Sequence, residues 1–425
     1  MDWPTGFGKV GGTITLMSST AQLQLDPEGH NPAAPDPWRS MAAFLVSGIL
    51  MSFLGAILPA WGYHLRPAFT EAGGYFLSFA FGLLLSVPAA QFLLARRGLK
   101  FLMIASSALA CGAFLFLAVS TPPAPDTWRL AGVLAIGFSA GLLNAGVFHA
   151  ISPIYQRDRA ATVNLAGLLF GLGSLMTALL VAGTYFVYTV PSILILFAAL
   201  PGLYAVACCN ANLSGVSTAQ AVPLSQVLRD FKNPGAILFS LLLFFQFGNE
   251  WSIAGWLPLF LIRRLGISPA DSLLLLALYW GALLVGRLIS QLVMKHVNRA
   301  WLLLGSIASA LMGAIVLAST NNLFGAIMGV LFVGAGYASI YPLVVEKIAH
   351  RFPYYHPGFY NGLFSLAMTG GFLAPWMLGY FAEAWGIQAV MILPLLGTCM
   401  VFVLVLLIML ESKLTSLSEV TRAGS

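Results

Sequence analysis

The chain has 425 residues, of which 59% are hydrophobic and 8% charged, with a mean hydropathy of +0.89 and a formal net charge of +6. A soluble domain carries about 25% charged residues, so this composition excludes an ordinary water-facing surface and reads as an all-α polytopic membrane protein. The positive charge does not argue for nucleic acid, because the basic residues lie between apolar runs and form no patch. The four cysteines (Cys111, Cys208, Cys209 and Cys399) sit inside apolar runs, without disulfide or zinc spacing.

Residues 1–37 are polar and rich in Gly and Pro, and they lack a basic start followed by an apolar core. They read as a flexible cytoplasmic tail, not a signal peptide. Beyond them, apolar runs of about 20 residues, the length that crosses a hydrocarbon core, recur twelve times. In chain order they are 41–63, 73–95, 101–120, 128–151, 161–185, 190–210, 235–262, 272–293, 301–319, 323–345, 358–381 and 386–410. The longest internal polar stretch, 211–234, follows the sixth run and divides the chain into an amino-terminal six-helix bundle, 38–210, and a carboxy-terminal one, 235–411. Residues 412–425 are a second cytoplasmic tail.

Charge sets the orientation. With the amino terminus in the cytoplasm, fifteen of the twenty Lys and Arg fall on that side, among them Arg96, Arg97, Lys100 and Arg299. Arg66, Arg129, Arg263 and Arg264 fall outside, and Arg287 lies within a span. That bias places both termini in the cytoplasm. The halves also echo each other. Asn164 precedes Gly173 by nine residues in the fifth span, and Asn361 precedes Gly370 by nine in the eleventh. LGAILPAWG in the first span is likewise similar to FGNEWSIAGWLP in the seventh, which points to duplicated halves of the kind many transporters use.

From about Trp38 to Leu410 the chain resembles the major facilitator superfamily, with twelve spans in two pseudo-symmetric bundles. Phe247-Gly248-x-Glu250-x-Ser252-x-x-Gly255-Trp256-Leu257 is similar to the seventh-span signature of the fucose permease group. That group includes bacterial sugar–proton symporters and vertebrate sodium-dependent glucose transporter-like proteins. The basic loop Ala95-Arg96-Arg97-Gly98-Leu99-Lys100 resembles the superfamily's loop between spans two and three, and Gly286-Arg287 with Lys295 and Arg299 resembles its counterpart in the second half. The fucose permease has acidic residues in its first and fourth spans; this chain has none in either, so that coupling scheme does not carry over.

Glu250 stands out on physical grounds. A charge at mid-membrane costs roughly 2.5 to 3.5 kcal/mol on insertion scales, so it faces the bundle interior or a watery cavity. Gln246, Asn249 and Trp256 follow helical spacing beside it, which puts amide, carboxylate and indole on one face. These four are expected to bind substrate, with Glu250 also carrying the coupling ion. Trp280 in the eighth span, Tyr337 and Tyr341 in the tenth, Asn361, Thr369 and Trp376 in the eleventh and Asn144 in the fourth complete the candidate site. Arg287 and Glu346 share a depth and have opposite charge, so they are expected to pair as an inner gate when the cytoplasmic side is closed and to separate when it opens, with Lys347 or Arg299 as substitute partners.

The function expected is secondary active transport of a small neutral hydroxylated solute, a sugar, coupled to a proton or sodium ion. The carrier would be a monomer in the inner membrane, with no cofactor and no nucleic-acid partner. An exporter of amphipathic drugs or lipids on the same fold is the alternative. A membrane enzyme would need several convergent acids, histidines or a metal cluster at one face; Glu71, Glu346 and Glu383 are scattered. ATP drive lacks support, as no GxxxxGK[ST] loop is present.

Overall fold

Helix caps written into the sequence set where the membrane helices begin. The computed structural model describes residues 37–66, 68–120, 125–157, 159–210, 233–294, 296–352 and 357–423, and the side chains of 152–161, 163–164, 353–365 and 414–423 lie outside that description. The tail expected over 1–37 and nearly all of the linker expected over 211–234 therefore fall outside it. Among the described residues the regular structure is helical: α1 (Pro37–Ala60), α2 (Phe69–Val119), α3 (Asp126–Arg157), α4 (Arg159–Thr184), α5 (Val190–Cys209), α6 (Pro234–Leu265), α7 (Pro269–Val293), α8 (Arg299–Ser319), α9 (Leu323–Arg351), α10 (Pro357–Trp385), a short 3-10 turn (Ile387–Met391) and α11 (Ile392–Ala423). Asn233 accepts from the Gly235 N–H with Pro234 at the first helical position, Ser268 accepts from Asp271, Asn298 from Ala300 and Asn322 from Gly325. Each such cap satisfies an N–H that the helix itself cannot.

As one rod, the 51 residues of α2 would run about 77 Å, more than twice the hydrocarbon thickness. The rod is broken at Gly98 (φ 79°, ψ 175°), a backbone conformation that glycine adopts without strain. So α2 holds spans two and three, α3 to α5 hold spans four to six, and α6 to α11 hold spans seven to twelve. The loop expected at 95–100 shrinks to this single non-helical residue. Two other edges differ from the sequence reading: the twelfth span opens on the 3-10 turn, and its helix continues past residue 412 to Ala423.

Connections gather at the two ends of the bundle. Phe69, Arg264, Thr320 and Glu383 lie at what we term the Arg66 end, where Arg264 Nε donates to the Thr320 carbonyl. At the opposite, Arg97 end, Arg39 donates to Asn210 O and Arg351 pairs with Glu411 at 2.7 Å.

Between those ends the helices meet main chain to main chain. A Cβ added to Gly48 would stand 2.0 Å from the Phe170 carbonyl oxygen, and one on Gly173 would stand 2.1 Å from that of Leu45, so α1 and α4 touch without intervening side chains. The second half repeats this, with Gly370 2.1 Å from Phe244 O and Gly248 3.2 Å from Gly370 O. Small residues permit such close approach in a bilayer, where apolar burial does not drive helices together. The sequence echo pairs the early Gly and late Trp and Pro of LGAILPAWG with those of the seventh span. By contact, Gly48 and Gly248 are also alike, each facing a main-chain carbonyl of the fifth or eleventh span, while a Cβ on Gly55 would meet Ala254 O and one on Gly255 the Phe76 ring.

Candidate functional site

Glu250 is the seventeenth residue of α6, about 24 Å from the start of a 32-residue helix and therefore at mid-span. It is 7% exposed. Among the described residues it forms no ion pair, although the Arg287 guanidinium lies within electrostatic range. The Gln246 amide, one turn earlier, interacts with this carboxylate without a hydrogen bond of normal geometry, and neither of its amide atoms has another partner. Trp280 Nε1 and Arg287 Nε are also buried with no partner, as is Ser252 Oγ on the same helix as Glu250. Buried polar groups in proteins are nearly always hydrogen-bonded, so these atoms on spans seven and eight are exceptions to that rule. The set is mixed: indole and guanidinium N–H donate, an ionised carboxylate accepts, and the amide does both.

Aromatic rings wall this centre. Trp251 packs edge-on against Trp280 at 5.9 Å and against Phe170 of α4 at 6.3 Å, while Trp280 lies 5.3 Å from Tyr279. The Tyr279 hydroxyl donates to the Glu250 backbone carbonyl at 3.3 Å. Trp251 therefore bridges the two halves of the chain beside the carboxylate. Sequence reasoning passed it over because Glu250 drew attention first, yet an indole adjacent to an intramembrane acid was signal enough.

The remaining expected residues disperse. Asn249 turns away from Glu250 toward α11: its Nδ2 donates to Thr398 Oγ1 at 3.4 Å and its oxygen lies against Gly397. Thr398 also bonds the Tyr337 hydroxyl at 2.7 Å, so Asn249 and Tyr337 share one polar link to the twelfth span. Trp256 is fully buried, stacked on Phe76 at 6.2 Å, and its Nε1 donates to the Pro375 carbonyl at 2.9 Å. Its ring face is covered, which leaves no indole surface free for a solute. The single face expected for Gln246, Asn249, Glu250 and Trp256 is thus split among three neighbours. Trp376 meets Tyr380, Tyr341 meets Phe247, and Asn144 accepts from Ser47 at 2.5 Å. Thr369 is exposed, and the Asn361 side chain lies outside the described residues. Arg287 and Glu346 are not brought together. Glu346 pairs with Arg299 at 2.9 Å and lies 3.9 Å from His350, while Arg287 Nη1 donates across the halves to Gly167 O at 3.1 Å. Arg299 starts α8 beside the last turns of α9, and that short path decides the pairing.

A second polar group occupies the Arg66 end. Tyr63 and Tyr75 both donate to Glu71, and they contact each other at 2.9 Å. Arg129 lies over the Trp61 ring at 5.7 Å and 3.5 Å from Asp126. A cavity of about 280 Å³ lined by Trp61, Ser120, Arg129 and Val190 opens beside them. Burial, then the bond to Glu71, pushes the Tyr63 phenol up from its ordinary value.

Comparison with known proteins places this geometry. The Major Facilitator Superfamily model matches residues 40–375. An uncharacterized MFS-type transporter of Yersinia pestis is 23% identical over 310 residues, 73% of this chain and 79% of that protein. A Brucella abortus glucose/galactose transporter is 26% identical over 163 residues, 38% of this chain and 39% of the relative. Among solved structures, a bacterial homologue of the human lysosomal transporter Spinster, inward-facing and unoccupied, matches with a TM-score of 0.67 at 14% identity, over 87% of this chain and 95% of its own. A mutant of the nucleoside transporter NupG gives 0.66 at 14% identity over 87% and 98%, and the E. coli fucose:proton symporter FucP gives 0.58 at 15% over the same shares. With apolar helices throughout and a family match over most of its length, the chain is a multi-pass membrane protein and belongs to the Major Facilitator Superfamily.

Proposed function

We propose that this superfamily member is a secondary active transporter of a small neutral hydroxylated solute, a sugar, working by alternating access and driven by a proton or sodium gradient. One observation carries the reading: spans seven and eight hold the buried mid-span carboxylate of Glu250 together with the Trp280 indole N–H and the Arg287 Nε, which are buried without a hydrogen-bond partner. A ring of hydroxyls both donates and accepts, and it complements that set as a purely apolar cargo does not. Trp251 and Trp280 are covered here, 7% and 1% exposed, so their rings meet the C–H face of such a solute only when the halves part. An ionised carboxylate in this setting is costly, and a proton, a cation or solute hydroxyls each relieve that cost. The first to bind changes the affinity for the next, which is the coupling a symporter needs. The relatives that transport glucose/galactose and fucose agree with this class.

In this proposal the halves 38–210 and 235–411 rock as units, the Arg97 end faces the cytoplasm with both termini, and the protein works as a monomer in the inner membrane. Fifteen of twenty basic residues on that side support the orientation. The test is uptake of radiolabelled glucose, galactose and fucose into proteoliposomes under an imposed proton or sodium gradient. Accumulation of one sugar above equilibrium is expected, and Glu250→Gln should retain exchange while losing accumulation. Sugar-insensitive protein that instead extrudes a lipophilic dye would replace this reading with the exporter.

A further inference from the structure

Four helix ends meet around the cavity beside Trp61. Ala60 ends α1, Leu117 and Ser120 stand at the end of α2, Arg129 lies in the first turn of α3, and Val190 and Pro191 open α5. The cavity of about 280 Å³ has the room of roughly nine waters. Its walls are apolar apart from Arg129 and Ser120. The Arg129 side chain is 12% exposed. It faces the Asp126 carboxylate at 3.5 Å, lies over the Trp61 ring at 5.7 Å and interacts with the Tyr75 hydroxyl. A guanidinium carries five N–H donors, so these partners leave capacity for a further acceptor. Two helices also begin here, and each brings the positive end of its dipole to this level. The N-cap of α5, Thr189, contacts the Ser192 hydroxyl at 3.0 Å and makes no side-chain cap to a backbone N–H. The same helix ends carry highly exposed Val119 and Val187 with half-exposed Trp128 and Tyr188. Tryptophan and tyrosine gather where lipid headgroups begin.

We propose that this cavity is a binding site for the phosphodiester headgroup of a membrane glycerophospholipid, with Arg129 as its anion ligand. A guanidinium meets two phosphate oxygens at once, which gives geometry as well as charge. The uncapped start of α5 adds backbone donors of the kind that hold phosphate at helix N-termini. The apolar walls select among anions. A free phosphate would lose its water against Ala60, Leu117, Val190 and Pro191 and gain nothing from them, whereas the glycerol and ester carbons of a lipid cover that surface. Asp126 is the built-in competitor. It is 61% exposed, so its pairing with Arg129 is weak and it turns to water when a phosphate takes its place. The site lies within the first half of the chain, and neither the cargo nor the chemistry at Glu250 bears on it.

The experiment is native mass spectrometry of the delipidated full chain in detergent, titrated with phosphatidylglycerol to give the Kd of the first lipid bound. Diacylglycerol with the same acyl chains, which lacks the phosphate, should bind at least ten-fold more weakly. Arg129→Gln should weaken phosphatidylglycerol by about ten-fold, the loss of a charge-assisted bond. Val190→Trp, which fills the cavity and leaves every charge in place, should weaken it as much. Asp126→Asn should act in the opposite direction and tighten binding by about two- to five-fold, because it removes the competitor. Arg96→Gln, the same loss of charge at the other end of the bundle, should leave the Kd unaltered. If Arg129→Gln does not fold, Val190→Trp and Asp126→Asn decide. Equal binding of diacylglycerol, or equal Kd values in wild type, Val190→Trp and any folded Arg129→Gln, overturn the site. A loss in Arg96→Gln as large as in Arg129→Gln also overturns it, since charge anywhere would then suffice. Displacement of the lipid by an equal concentration of inorganic phosphate overturns the lipid and leaves a site for a soluble anion.

Discussion

The first and seventh spans share a frame and differ in what they carry. Each sets two glycines seven residues apart, Gly48 and Gly55 against Gly248 and Gly255, and each lays the first of them against the fifth or eleventh span. Between those glycines the first span reads ILMSFL and the seventh reads NEWSIA. Leu50 therefore stands where Glu250 stands, and it is fully buried. Phe53 nearby completes a ring cluster with Phe114 and Phe197, at centroid distances of 5.0 and 5.4 Å, that leaves no polar group waiting. What the two spans share is the glycine frame; the buried acid and the indole beside it stand in one of them only.

If the frame is what the halves share, damage to it should be equal in both. Gly173→Leu and Gly370→Leu should each lower stability by about 3 kcal/mol, through overpacking against a carbonyl that cannot retreat. Thermal unfolding in detergent measures this, with Gly183→Ala, whose added Cβ meets nothing, as the neutral comparison. One glycine tolerated and the other not would break the equivalence.

If the chemistry is one-sided, the matched pair Leu50 and Glu250 should respond in opposite ways. Leu50→Ala should cost about 2 kcal/mol of stability by leaving a cavity, with the coupling of transport intact. Glu250→Gln should leave unfolding almost unmoved and abolish uphill accumulation. Loss of coupling in Leu50→Ala, once corrected for folded protein, would show that the first half shares the work.

A finer test removes one donor. Trp280→Phe keeps an aromatic ring and deletes the unpartnered indole N–H, so solute affinity should fall by about 1 kcal/mol, roughly five-fold, beyond the modest loss of stability expected from the smaller ring. Affinity unchanged in a titration of tryptophan quenching would remove Trp280 Nε1 from the site. Phe197→Leu, in the apolar counterpart, should change stability alone.

The smallest effect concerns pH at the boundary between the halves. Burial, opposed in part by the Pro59 carbonyl and aided by the positive charge of Arg263, holds His64 below its ordinary 6.5. Above that value the ring is neutral whether folded or unfolded. As pH falls through 6.5 the unfolded chain takes up the proton first, so stability declines toward acid. Melting temperatures at pH 8 and pH 5.5 should show this, and His64→Gln should remove that share of the drop. An unaltered slope would place the pH dependence elsewhere.

Spans and family were legible in the sequence because bilayer thickness imposes a run length and because the Glu250 motif and the basic loops resemble those of the family. Glu250 was legible because charge in an apolar run has a high intrinsic cost. What escaped was whatever neighbours decide. Helical spacing places Asn249, Glu250 and Trp256 close together on a wheel, but it cannot say that Thr398 waits for the first, or that Phe76 covers the last. Shared depth and charge left Glu346 a choice of Arg287, Lys347 or Arg299, and the approach of α8 to the end of α9 gives it to Arg299 in this structure. Trp251 carried a signal in its place beside Glu250, but its partners, Phe170 and Trp280, come from distant segments.

Because the contact between spans seven and eleven at Gly248 and Gly370 is made by main chain, positions such as Glu250 and Ser252, which lie between Gly248 and Gly255 and outside the contacts of Asn249, Trp251 and Ala254, can be exchanged without redesigning that joint. Selection can then act on them as an interchangeable cassette, in which a new cargo emerges by rewriting a few letters while the chassis stays put. A laboratory library confined to those positions would sample altered specificity at a far lower rate of misfolding than one spread along the whole helix.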